Sequence, residues 1–80
     1  MPRPSGLRGS GANPWVILVR AKDKADETSK FIEHIYADTK AQAEAWFNAT
    51  IRPLYKRILK LEILPSTEET ERRAKAWLWR

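Results

Sequence analysis

Residues 15–22 read WVILVRAK, and this stretch decides the fold. It is rich in β-branched, aromatic and aliphatic side chains, which favour a pleated strand. Because side chains alternate along a strand, Ile17 and Val19 fall on one face, and Val16 and Leu18 fall on the other. Both faces are apolar at the start of the stretch, so we expect a central strand that is covered on both sides.

The segment after this strand predicts a hairpin. Residues 23–29 read DKADETS and are polar, as is typical of a connecting loop. Residues 30–37 read KFIEHIYA and alternate in the manner of a second strand. Because the connection is short, we expect the two strands to pair antiparallel.

A helix is predicted from Asp38 or Thr39 to about residue 51. The segment is rich in alanine, the best helix former, and Thr39 with Gln42 has the spacing of a capping box. The predicted core-facing stripe, with spacings of three and four, comprises Ala43, Trp46, Phe47, Thr50 and Ile51. The helix is expected to end near Arg52, because a residue that precedes proline avoids helical angles.

A third strand and a second helix are predicted for the rest of the chain. Residues 55–64 predict the strand, which Pro65 ends. Residues 67–79 predict the helix, with Ser66 and Glu69 as its capping box. The predicted apolar face of the strand comprises Leu59, Leu61 and Ile63, and the more solvated face comprises Lys56, Ile58, Lys60 and Glu62.

The element order β-β-α-β-α predicts an α+β fold in one small domain. We expect a three-stranded, mostly antiparallel sheet with the first helix packed on it, as a compact core over residues 15–64. Residues 65–80 are expected to form a C-terminal helix. Residues 1–14 hold all three glycines and three of the five prolines, so we expect a disordered basic tail that buries too little apolar surface to fold.

The residue types exclude most catalytic and metal sites. The chain has no cysteine and one histidine, His34, which leaves no disulfide and too few of the usual zinc or iron ligands. Every glycine lies in the first eleven residues, so no glycine-rich phosphate loop is present. We therefore expect a protein that is not an enzyme and has no catalytic residue, metal, cofactor or small-molecule substrate.

The net charge of +5 is compatible with nucleic acid, an anionic membrane or an acidic partner. The longest apolar run is residues 15–19, far short of the roughly 20 residues that span a bilayer. Residues 1–13 lack the apolar core of a secretory signal. We therefore expect a cytoplasmic protein without membrane contact, and the absence of cysteine agrees with a reducing compartment.

The strongest functional signal is residues 52–60, which read RPLYKRILK and contain four basic residues, one aromatic residue and no acidic residue. Lysine and arginine contact phosphates, and an aromatic ring can stack on an unpaired base. Two cations of the first strand would extend this surface if the first and third strands are neighbours. The predicted nucleic-acid-binding residues are Arg52, Tyr55, Lys56, Arg57, Lys60, Arg20 and Lys22. The alternative explanation is an edge strand that lysines protect from aggregation.

The chain ends in a second cluster, residues 76–80, which read AWLWR. Trp77 and Trp79 cannot share one helix stripe, because positions i and i+2 do not face each other. Exposed Trp and Arg are typical of protein interfaces, so the predicted partner interface is Trp77, Trp79 and Arg80. Alternatively, Trp77 and Leu78 pack on the open face of the sheet while Trp79 frays.

Residues 15–51 place two strands before a helix that begins ADTKAQAEAW, and this arrangement resembles the small strand-and-helix arm modules of phage integrases. The resemblance implies DNA binding. The chain departs from those modules because it adds a strand after the helix and has few basic residues in its first hairpin. No residue role is therefore carried over.

The sequence favours a small non-catalytic binding module that binds nucleic acid through a basic strand surface. The alternative is a protein-interaction adaptor, a homodimer, or a regulator or inhibitor of a larger protein, of the kind that phages and mobile elements encode. Such a protein would use the Trp-rich helix or an edge of the sheet.

Overall fold

The computed structural model describes residues 8–9 and 11–80, and their elements form one sheet with a helix on each face. The elements follow in the order β1 (Arg8–Gly9), β2 (Asn13–Lys22), β3 (Thr28–Ala37), α1 (Lys40–Thr50), a 3-10 turn (Arg52–Leu54), β4 (Arg57–Pro65) and α2 (Glu68–Leu78). The sheet order is β1-β3-β2-β4. β2 pairs antiparallel with β3 and β4, and the two-residue β1 joins β3 in the parallel direction. The predicted α+β class is confirmed, and so is the order β-β-α-β-α from β2 to α2, to which the structure adds the two-residue β1 as a fourth strand.

β2 lies at the centre of the sheet because both of its faces are apolar. Ile17 and Val19 are fully buried in a core that α1 completes with Phe47. Val16 and Leu18 are buried on the opposite face, where Ala74 of α2 packs against them. α2 therefore packs on its own sheet, and the two helices cover opposite faces.

The N-terminal cap of α1 is the predicted one, whereas the N-terminal cap of α2 uses different residues. The hydroxyl of Thr39 accepts a hydrogen bond from the amide of Gln42 at 3.1 Å, which confirms the predicted start of α1. The cap of α2 is Thr67 with Thr70, whereas a Ser66–Glu69 pair was predicted. The hydroxyls of Ser66 and Thr67 are both spaced to cap the helix. Ser66 does not cap it because its hydroxyl donates to the carboxylate of Glu71 instead.

β4 contains an irregularity that the alternating sequence does not reveal. Arg20 pairs with Lys60, but the next residue of β2, Ala21, pairs with Ile58, so Leu59 forms a bulge. Ile58 therefore packs in the core beneath α1, and Leu59 is 41% exposed. The predicted faces were wrong at these two positions, because a bulge shifts all preceding residues by one place.

The predicted disordered tail over residues 1–14 differs from the structure in its second half. The amide of Gly11 donates to the carbonyl of Tyr36 at 3.2 Å, and β2 already begins at Asn13. A β-carbon on Gly11 would lie 2.1 Å from backbone atoms of Ala37, so only glycine fits this close approach. The backbone of Gly11 is thus held against β3, and the amide of Ala12 donates to the carboxylate of Asp38. Residues 1–7 and 10 of the predicted tail lie outside the described residues.

Candidate nucleic-acid interface

Five cations share the face of the sheet on which α2 packs, and two of them, Lys30 and Lys60, lie beside Trp77 in the last turn of that helix. One row of paired residues consists of Lys30, Arg20 and Lys60, on β3, β2 and β4. The neighbouring row consists of Thr28, Lys22 and Arg57 on the same three strands. We name the set Arg20, Lys22, Lys30, Arg57 and Lys60 the basic platform.

The bulge in β4 is what adds Arg57 to the basic platform. A regular ladder continuing from the Arg20–Lys60 pair would place Ile58 opposite Lys22 and turn Arg57 to the other face. The bulge at Leu59 instead pairs Lys22 with Arg57. Cations of β2 and β4 therefore lie side by side in both rows.

Most charges of the platform have no compensating partner within the described residues. The side chains of Arg20, Lys22 and Arg57 make no hydrogen bond or ion pair with residues 11–80. Lys60 lies 3.9 Å from the carboxylate of Glu62, which Arg73 also approaches at 3.6 Å. Cations crowded in this way repel one another, so an anionic ligand would be bound favourably.

Lys30 ties the end of α2 to the platform. Its Nζ donates to the carbonyl of Trp77 at 2.8 Å and to that of Arg80 at 3.3 Å. Trp77 lies in the last turn of α2, whose carbonyls lack partners within the helix and carry partial negative charge, so a lysine stabilises this end; Arg80 lies beyond the helix. The Nζ atoms of Lys30 and Lys60 also lie 5.1 and 5.6 Å from the ring centroid of Trp77, within cation–π range.

A cleft opens where the platform meets the end of α2. Its volume is about 460 Å³, and it is lined by Arg20, Thr28, Lys30, Lys60, Trp77 and Arg80. The side chains of the lining thus comprise four cations, one hydroxyl and one indole ring, and none of them is a carboxylate. These groups can hold a phosphate by charge and hydrogen bonds, because arginine, lysine and threonine side chains all donate to phosphate oxygens.

Four of the predicted nucleic-acid-binding residues come together on the platform. They are Arg20, Lys22, Arg57 and Lys60. Lys56 does not join them, since it precedes β4 and its Nζ lies 3.0 Å from the carboxylate of Asp26 in the β2–β3 loop. Lys56 and Lys60 were expected on one face, and this was wrong because the bulge lies between them.

Arg52 and Tyr55 also lie away from the platform. The Nε of Arg52 donates to Asn48 at 2.9 Å, at the end of α1. The ring of Tyr55 stacks on Phe31 with centroids 5.5 Å apart, and both rings pack against the core on the α1 side of the sheet. The aromatic ring predicted to stack on a base is therefore engaged by its own domain.

The predicted partner interface divides into a packed and an exposed part. Trp77 is half-buried against the cluster that contains Val16 and Leu18, whereas Trp79 is 83% exposed. Arg80 lines the cleft. The sequence reasoning missed Lys30 and Thr28. Lys30 begins the predicted second strand, and its position opposite the first strand was a signal for it, whereas Thr28 was predicted in the loop but belongs to β3.

The single histidine anchors α2 at a distance from the platform. Nε2 of His34 lies 2.8 Å from the carboxylate of Glu71, which also accepts a hydrogen bond from Ser66. Burial raises the pKa of Glu71, but the hydrogen bonds from Ser66 and His34 and the charges of His34 and Lys75 outweigh it, so the pKa lies below 4.5. This contact fixes α2 on the sheet.

No group of three His, Asp or Glu side chains in the described part of the chain could hold a metal ion.

No protein-family model, curated protein or solved structure matches this chain. Among residues 8–9 and 11–80, neither helix is long and apolar enough to cross a membrane. What the protein does must therefore be inferred from the geometry and charge of its own residues.

Proposed function

We propose that this protein binds nucleic acid through the basic platform. The observation that carries the proposal is a set of five cations on one face of three adjacent strands. Three of them, Arg20, Lys22 and Arg57, have no side-chain partner within the described residues. Concentrated, uncompensated positive charge of this kind is the usual footprint of a phosphate-binding surface.

The spread of the cations favours a polymer of phosphates over a single small anion. The two rows are two residues apart along the strands, or about 6.6 Å, and each row is three strands wide. One phosphate group would meet one row and leave the other uncompensated. A chain of phosphates can meet both rows, and Arg80 at the cleft extends the same surface beyond them.

Binding of this kind depends on charge more than on sequence. The platform offers ammonium and guanidinium groups, and Thr28 in the cleft beside it offers a hydroxyl; all of these groups contact phosphates. Phosphate contacts position a nucleic acid but do not read its bases. We therefore expect modest sequence preference and affinity that falls steeply as the salt concentration rises.

The proposal is tested by reversing the charge of the platform in the full chain. The test variant combines Arg20→Glu, Arg57→Glu and Lys60→Glu. The matched control combines Lys24→Glu, Lys40→Glu and Arg52→Glu, which gives the same net charge but changes exposed residues outside the platform. Fluorescence anisotropy with labelled single-stranded and duplex DNA and RNA measures binding, and circular dichroism checks that both variants fold.

The wild-type protein and the control variant are expected to bind, with a modest loss in the control from its lower net charge. The platform variant is expected to lose binding while it stays folded. Equal losses in two folded variants would mean that net charge, not the platform, governs binding. A wild-type protein that binds no nucleic acid at low salt would refute the proposal outright.

A protein partner, in the form of a second copy of the chain, is the other candidate. It is favoured by one observation: no strand pairs with the outer edge of β4 among the described residues. The bulge at Leu59 counts against such a dimer, because it interrupts that edge and bulges are a common means of preventing edge-to-edge pairing. Light scattering distinguishes the two cases, because a monomer at micromolar concentration would exclude this dimer.

A further inference from the structure

Trp79 is the most exposed large apolar side chain among the described residues, at 83%. It directly follows the last residue of α2 and lies between Trp77 and Arg80, both of which line the cleft. Leu54 and Leu59 are the other exposed large apolar side chains in this part of the chain, and neither lines that cleft. Trp79 itself does not line the cleft, so its indole ring is exposed to solvent and is linked to the cleft through its chain neighbours Trp77 and Arg80.

The neighbouring ring of Trp77 is already engaged. It is half-buried against the sheet, and Lys30 and Lys60 lie within 5.1 and 5.6 Å of its centroid. Trp79 has no ring or cation partner within residues 11–80. Of the two indoles at the end of α2, Trp79 is thus the one whose ring is available to a ligand.

We propose that Trp79 stacks on an unpaired base of a strand whose phosphates lie in the cleft and on the basic platform, so that the protein prefers single-stranded to duplex nucleic acid. This inference rests on the proposed function and adds its substrate class. Every base has an aromatic face, and stacking on a tryptophan is a common means of binding single strands without reading their sequence. Arg80, the next residue, would contact the adjoining phosphate.

A duplex presents no accessible base face on which the ring of Trp79 could stack. The bases of a duplex stack on one another and present only their edges in the grooves, so an indole cannot reach a base face without unstacking the helix. The cations of the platform attract the phosphates of both forms and do not by themselves favour the single strand. Selectivity for the single strand should therefore depend on Trp79, whereas overall affinity should depend on the platform.

The test compares three variants of the full chain with two probes. Trp79→Ala removes the ring, Trp79→Phe keeps a smaller aromatic ring, and Leu54→Ala is the control at another exposed apolar side chain. The probes are a fluorescein-labelled oligothymidylate of about 16 nucleotides, as long as the largest common binding sites, and a duplex of the same length. Anisotropy titrations at one low salt concentration give the affinity of each variant for each probe.

Trp79→Ala is expected to weaken binding to the oligothymidylate by at least about fivefold, which corresponds to the loss of one stacked base. Duplex affinity should stay within about twofold, Trp79→Phe should retain most of the single-strand affinity, and Leu54→Ala should change neither. Equal losses on both probes, or no loss on the oligothymidylate, would overturn the stacking role and leave the platform proposal standing. Unchanged affinity for both probes, together with a Trp79-dependent dimer in light scattering, would instead assign Trp79 to a protein contact. A wild-type protein that binds neither probe would overturn both proposals.

Discussion

Replacing Arg20 by Gln should remove one phosphate contact from the interface and reduce its salt dependence by a predictable amount. Arg20 lies in the middle of the platform, between Lys30 and Lys60, and it lines the cleft. It is exposed and has no side-chain partner within the described residues. The substitution should therefore change the free energy of unfolding by less than about 0.5 kcal/mol.

The magnitude follows from the number of cations available to a phosphate chain. Those cations are Arg20, Lys22, Arg57, Lys60 and Arg80. Lys30 is left out because its Nζ already donates to two carbonyls at the end of α2. Each phosphate neutralised on a single strand contributes about 0.7 to the slope of log affinity against log salt, so the wild-type slope should be about −3.5 and that of Arg20→Gln about −2.8.

The assay is anisotropy with a labelled oligothymidylate at several salt concentrations between about 50 and 200 mM. Arg52→Gln is the matched control, because it removes an exposed arginine whose Nε donates to Asn48 away from the platform. The thermal midpoint of each variant is measured alongside. An unchanged slope in Arg20→Gln, or an equal reduction in Arg52→Gln, would refute the assignment of phosphate contacts to the platform.

Three further predictions concern the fold that carries the platform. Glu71→Gln should lower the free energy of unfolding by roughly 1 kcal/mol at neutral pH, because the carboxylate accepts hydrogen bonds from Ser66 and His34. Since the folded-state pKa of Glu71 lies below 4.5, this difference should be present above pH 4.5 and vanish as the pH falls through the folded-state pKa, as urea titrations at several pH values would show. Phe47→Ala, at a fully buried side chain, should cost about 3–5 kcal/mol, and an unchanged thermal midpoint would contradict the described core. Deletion of Leu59 should leave a regular ladder with the platform pairs intact, so binding should persist while light scattering detects more self-association at the edge of β4.

Local sequence signals predict the elements of this fold well. The two apolar faces of β2 predict its central position, and Thr39 predicts the start of α1, because these signals depend on residues close in the chain. β1 and the bulge at Leu59 depend instead on pairing with distant residues. Two residues cannot signal a strand by periodicity, and an inserted residue leaves the alternation of β4 looking regular in the sequence.

The candidate site was only partly predictable, because its residues are brought together by strand pairing as well as by a local charge run. The charge run of residues 52–60 indicates a basic surface, and the adjacency of β2 and β4 brings Arg20 and Lys22 to it. The residues of this run lie on both faces of the sheet, because Tyr55 packs toward α1 while Lys60 faces α2. A contiguous sequence segment thus supplies both faces of a sheet, and only the pairing of the strands shows which members share one face.

The positions of the cations also bear on the alternative that lysines merely protect an edge strand. Such protection requires charge on the outer strand, where β4 carries Arg57 and Lys60. It gives no reason for Arg20 and Lys22, which lie on the central strand β2 with a paired strand on either side. A central strand has no open edge to protect, and its cations lower stability by repelling those of β4 beside them. A ligand that neutralises all four accounts for both strands at once, which edge protection does not.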